Sequence, residues 1–226
     1  MTDEPPTDLG EIVVVGQRRS EPWQPFPERP VPQDWEPEFD ELPPADDGPL
    51  DPCFNPETAL PWNADAAGAK SVDAFLSKAA TLGEANLSAR EFGRGLARGP
   101  NNSVWGNAVT AGPDRNPAPG SVSNVIIVMD PITFDNYIGD AHSHPNSNPY
   151  PSQEDWDGFI SNNNIARARP GRANDTFYMY ITVVEADGSV GKTYVYQDGP
   201  RPVGSPDPLR PTTLGDEVNP NAEPCP

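Results

Sequence analysis

Histidine and cysteine are nearly missing from this chain: two of each in 226 residues. That scarcity removes much chemistry at once. No C-x-x-C pair is present, so neither a zinc finger nor a nucleobase deaminase has its ligands. There is no G-x-S-x-G and no phosphate-cradling glycine loop. Basic residues are short as well, with 15 Lys+Arg against 34 Asp+Glu and a net charge of −19. This balance disfavours nucleic acid and anionic membrane surfaces, which need cations to displace their counterions. No apolar run approaches the roughly 20 residues of a membrane span. The start, Met1-Thr-Asp-Glu-Pro-Pro, lacks the basic and apolar regions of a Sec signal peptide. A cytoplasmic location is therefore the default expectation, with delivery by a dedicated secretion system left open.

Proline, by contrast, is abundant: 31 residues, clustered before about Pro61 and after about Pro200. The composition predicts a mostly disordered acidic Pro-rich tail over 1–60, a folded domain over 61–197 and a second Pro-rich tail over 198–226. Cys53 and Cys225 fall in the two tails, where they either close a disulfide or remain free thiols. The apolar island Ile12-Val13-Val14-Val15 reads as a short strand added to the domain edge or as a docking peptide.

Within the domain, Asn63 is a fair N-cap, and Ala66, Ala69, Val72, Phe75, Leu76, Ala79 and Leu82 recur at helical spacing up to Gly83. Two short segments about Asn101-Asn-Ser predict a hairpin. The run Val122 to Met129 is apolar enough for a central strand, and the segment around Tyr137 to His142 predicts the next one. A helix is expected from Ser152, with Trp156, Phe159 and Ile160 buried. The segments Phe177–Val184 and Lys192–Tyr196 flank Asp187-Gly188, a strong hairpin signal. The fold class that follows is α/β, a single mixed sheet flanked by helices.

Both histidines lie in one stretch, Asp140 to Asp157, reading D-A-H-S-H-P-N-S-N-P-Y-P-S-Q-E-D-W-D. On a strand, His142 and His144 at i, i+2 share a face. If Ser152 opens a helix, Asp155 sits in the first turn and can point at the same spot. Ser152-Gln-Glu-Asp155 also fits a plain helix N-cap with acidic residues in the first turn, and that cap can itself position Asp155. Two imidazoles and one carboxylate leave a tetrahedral zinc one position for water, a hydrolytic site in outline. The pattern H-x-H-x7-S-x-x-D arises by chance on the order of once in a few thousand such chains.

His142-Ser143-His144-Pro145, with Ser152 and Asp155 at this spacing, resembles the signature of the JAMM (MPN-plus) zinc metalloproteases, and in particular a bacterial branch associated with polymorphic toxins. The resemblance spans about residues 62 to 196 and implies the cytidine-deaminase-like MPN/JAB fold. It also implies that His142, His144 and Asp155 bind zinc, that Ser152 donates a hydrogen bond to the tetrahedral intermediate, and that an upstream glutamate is the base. Glu91 and Glu84 are the candidates; Glu91 opens E-F-G-R-G-L and fits the family placement better. The implied activity is hydrolysis of a peptide or isopeptide bond in a peptide or protein substrate, with a ubiquitin-like target left open. A binding or scaffold module, or a delivered toxin effector, is the alternative.

Overall fold

The computed structural model describes residues 51–114 and 125–226. The readings made for residues 12–15, for the first 50 residues as a tail, and for Val122 to Asn124 lie outside the described residues.

Helix α1 (Pro56–Thr81) is capped by the Asn55 side chain, eight residues before the predicted Asn63 cap, and runs through Pro61. Proline is disfavoured inside a helix because it lacks an N–H. Near the helix start it costs one ladder bond, and the apolar face continues across it. Asn63 is not a cap but is buried in mid-helix. Its amide donates to the Asn102 carbonyl, and its carbonyl oxygen accepts the Cys225 N–H. At the other end Gly83 (φ +77) takes the left-handed position, and the Glu84 N–H reaches back to the Ala79 carbonyl, as the spacing predicts. Of the predicted stripe, Ala66, Ala69, Phe75 and Ala79 are buried, while Leu76 and Leu82 are exposed.

The predicted hairpin is β1 (Phe92–Arg98) paired antiparallel with β2 (Val104–Gly106), and β3 (Thr110–Ala111) pairs the start of β1. The central strand expected to end at Met129 does not form over the described part, 125–129. Val125 and Ile127 instead lie over Gly93, where a Cβ would come within 2.9–3.0 Å of them. Ile126 and Val128 point out to solvent. The run is held by side chains, Thr110 Oγ1 to the Ile126 carbonyl and Asn107 Nδ2 to the Val128 carbonyl. Missing side chains on the β1 face let this segment lie across it rather than join the ladder.

Strand β4 (Tyr137–His144) is buried along its whole length, and α2 (Gln153–Arg167) connects it to β5 (Phe177–Val184) in parallel. Strand β6 (Val190–Asp198) returns antiparallel across the Asp187-Gly188 turn, and β7 (Asp216–Glu217) pairs its outer edge. The sheet is therefore mixed and seven-stranded, in the order β2-β1-β4-β5-β6-β7, with β3 also on β1. Phe75, Leu96, Ile138 and Tyr180 fill a core on the α1 side; Tyr137, Trp156, Phe159 and Ile181 fill another on the α2 side.

The alternation along β4 breaks once. Leu96 of β1 pairs Gly139 but Ala97 pairs Tyr137, leaving Ile138 surplus in a β-bulge. Gly139 carries the bulge at φ +151, and a Cβ there would fall 1.8 Å from the Tyr178 carbonyl oxygen. The extra residue changes the phase, so Tyr137, Asp140, His142 and His144 share the α2 face.

The Pro-rich segment after 198, read as a tail, is fastened to the domain. Trp156 Nε1 donates to the Pro208 carbonyl, Arg210 to the Pro151 carbonyl and Trp62 Nε1 to the Glu223 carbonyl. Cys53 and Cys225 form a disulfide, which settles the open alternative. Among the described residues no helix is long and apolar enough to cross a membrane.

Candidate metal centre

The strand and the helix cap bring the three sequence-predicted ligands together. His142 and His144 are each 3% exposed. Their Nε2 atoms lie 3.2 Å apart, and Asp155 Oδ2 is 3.7 Å from the first and 3.3 Å from the second. A tetrahedral ion with bonds of about 2.0–2.2 Å has ligand-to-ligand edges of about 3.3–3.6 Å. The donor set thus fits a small divalent ion, and this buried His-His-Asp group can hold one.

Both rings are aimed by contacts at their other nitrogen. His142 Nδ1 faces Asp140 Oδ1 at 3.4 Å, and His144 Nδ1 lies 2.9 Å from the Asn148 carbonyl oxygen. Acceptors at Nδ1 fix the tautomer that presents the Nε2 lone pair, the arrangement typical of metal-ligating histidines. Tyr137 Oη donates to Asp140 Oδ2 at 3.3 Å, holding that carboxylate from the other side. Asp140 could have been found in the sequence, since i−2 from His142 on a strand is the same face. The Asn148 contact could not, because a backbone carbonyl leaves no residue signature.

Asp155 is placed by a capping box. Ser152 Oγ accepts the Asp155 N–H at 3.0 Å, and Asp155 Oδ2 accepts the Ser152 N–H at 2.8 Å. The same carboxylate thereby serves the helix and faces the histidines. Burial raises the Asp155 pKa, but His142 and His144 outweigh it and hold the carboxyl well below its usual range. Burial pulls His142 down, yet Asp140 and Asp155 prevail and raise it to about 10.

Glu91 immediately precedes β1 and is 8% exposed. It belongs to the face of Gly93 and Gly95, which pair His142 and Asp140. Its Oε2 accepts the Val125 N–H at 3.2 Å. Burial raises its pKa; His142 and His144 act against that rise and Asp155 adds to it, so the carboxyl feels all three candidate ligands. The strand start is tied down by Ser143, between the two histidines, whose Oγ accepts the Phe92 N–H at 3.0 Å. Glu84 sits elsewhere, paired with Arg90 at 2.6 Å in the turn after α1.

A cleft of about 180 Å³ opens beside the cluster, bounded by Val125, Ile127, Glu154, Asp155 and Phe159. In comparisons with known proteins, no family model matches the chain and no curated protein is significantly similar to it.

Proposed function

We propose that the protein is a JAMM-type zinc hydrolase acting on a peptide or isopeptide bond. The observation that carries this reading is the meeting of His142 Nε2, His144 Nε2 and Asp155 Oδ2 at tetrahedral edge lengths beside the buried Glu91.

His142, His144 and Asp155 would hold the ion. Bound zinc supplies Lewis acidity and makes water a nucleophile near neutral pH. Glu91, a buried carboxylate that neither ligates nor orients a ligand, takes a proton from the attacking water and returns it to the leaving amine. Its hydrogen bond from the Val125 N–H fixes the carboxylate in place for that task. Ser152 accepts the Asp155 N–H and keeps its own hydroxyl hydrogen to donate toward the developing oxyanion. Asp140 and the Asn148 carbonyl keep both imidazoles in register.

Metal analysis by mass spectrometry and a peptide-library cleavage screen, wild type against Glu91→Gln, test this reading. About one zinc per chain is expected in both proteins, with cleavage lost in Glu91→Gln. Metal without cleavage in the wild type points to a binding module. Undiminished cleavage by metal-free Glu91→Gln overturns the proposal.

A further inference from the structure

Gly158 lies in the interior of α2, where glycine is unfavourable relative to alanine because the unfolded chain gains freedom from it. Neither backbone nor packing calls for it. Its backbone is helical, and a Cβ built on it meets nothing within 4 Å. What Gly158 does is line the cleft beside the metal cluster, with Glu154 one turn before it and Asn162 one turn after. These three positions, spaced i, i+4 and i+8, form one strip of the helix, open at its middle. Across from it stand Val125 and Ile127, and Phe159 closes the apolar side.

Apart from His142 of the metal cluster, the ionisable side chains that line this groove are acidic: Asp140, Glu154 and Asp155. No described Lys or Arg lines it. Asp140 and Asp155 are committed to the histidines. Glu154 is exposed at the mouth and forms no ion pair among the described residues.

Building on the hydrolase reading, we infer that this groove seats a basic side chain of the substrate. Its aliphatic stem lies over Gly158 against Phe159 and Ile127, and its cationic head meets Glu154. A long side chain with an apolar stem and a charged end matches a groove apolar on its walls and anionic at one end. The substrate class is thus a polypeptide with arginine or lysine next to the scissile bond. Glu154 sets specificity, and Gly158 provides the room.

The test is fluorescence anisotropy with a fluorescein-labelled pentapeptide bearing a central arginine, against the same peptide with citrulline, which keeps the shape and loses the charge. Full-length zinc-loaded Glu91→Gln protein prevents consumption of the probe. Arginine should bind about threefold to fivefold tighter, the upper part of the range for an exposed pair. Glu154→Gln should abolish that preference. It removes a single charge from a net −19, so non-specific attraction survives it. Gly158→Leu should weaken both peptides while the thermal midpoint holds or rises. Equal affinity for the two peptides, no binding of either at millimolar concentration, or full binding by Gly158→Leu overturns the inference. The readout is binding: a wild type that cleaves nothing overturns the hydrolase reading alone, and cleavage without the arginine preference overturns the seat alone.

Discussion

Loading the metal-free protein with zinc at pH 7 should release at least one proton, and His142 supplies it. Burial alone would keep this ring neutral, but Asp140 and Asp155 raise its pKa from 6.5 to about 10. Nδ1 is turned toward Asp140, so the proton that must leave sits on Nε2, where an ion must bind. Deprotonating the ring at pH 7 costs roughly 4 kcal/mol, three pH units at about 1.4 kcal/mol each. Apparent zinc affinity should therefore rise about tenfold per pH unit between pH 6.5 and 8.5. Calorimetric titration in buffers of matched pH and different ionisation enthalpy counts the released protons directly. A heat that does not vary with buffer refutes the reasoning. Asp140→Asn keeps all three ligands and removes one of the supporting carboxylates, so the proton count should fall below that of the wild type. The same shift sets the stability of the metal-free fold. The folded pKa is raised, so its contribution is fully present below pH 6.5 and disappears as pH climbs toward about 10. That contribution is on the order of 5 kcal/mol, with the His142–Asp155 attraction counted once. The urea midpoint of metal-free protein should accordingly fall between pH 6.5 and 9.

Two further outcomes are expected. Reduction of Cys53–Cys225, or Cys53→Ser with Cys225→Ser, frees a loop of 172 residues. By chain entropy this lowers stability by about 5 kcal/mol, read from denaturant midpoints in oxidised and reduced samples. Gly139→Ala places a methyl 1.8 Å from a backbone carbonyl at φ +151, and the bulge must shift. Stability should drop by about 3 kcal/mol or more, with zinc content falling in parallel. Normal zinc content in this variant would separate the bulge from the phase of the histidines.

Much of the site was legible because its parts have short-range signatures. The i, i+2 spacing of His142 and His144 is enough to place two rings on one face, and Ser152-x-x-Asp155 is enough to cap a helix there. The Asp187-Gly188 hairpin and the α/β class followed from local pattern in the same way. Other features depended on what residues do at a distance. Pro61 looks like a breaker until the apolar face of α1 is seen to continue past it. Val125 to Met129 looks like a strand because apolarity says nothing of Gly93 across the way. The Ile138 bulge leaves no trace in composition, yet it determines that Tyr137 and Asp140 are neighbours. Burial of Glu91 also required the strand register, since its sequence neighbourhood distinguishes it from Glu84 only by family likeness.

The end of the chain reaches further than its proline content suggests. Proline gives up its N–H but keeps its carbonyl: Trp156 grips the segment at the Pro208 oxygen, and the segment's own Arg210 grips a proline oxygen of the loop after His144. Tyr196 holds the Pro149 carbonyl and Arg210 the Pro151 carbonyl, both just after the Asn148 oxygen that steadies His144. An arginine some sixty positions downstream (separation 59) is thus a distant stay for one imidazole. Shortening the protein from its C-terminus past Arg210 would unmoor that ring before it reached any of the three candidate ligands.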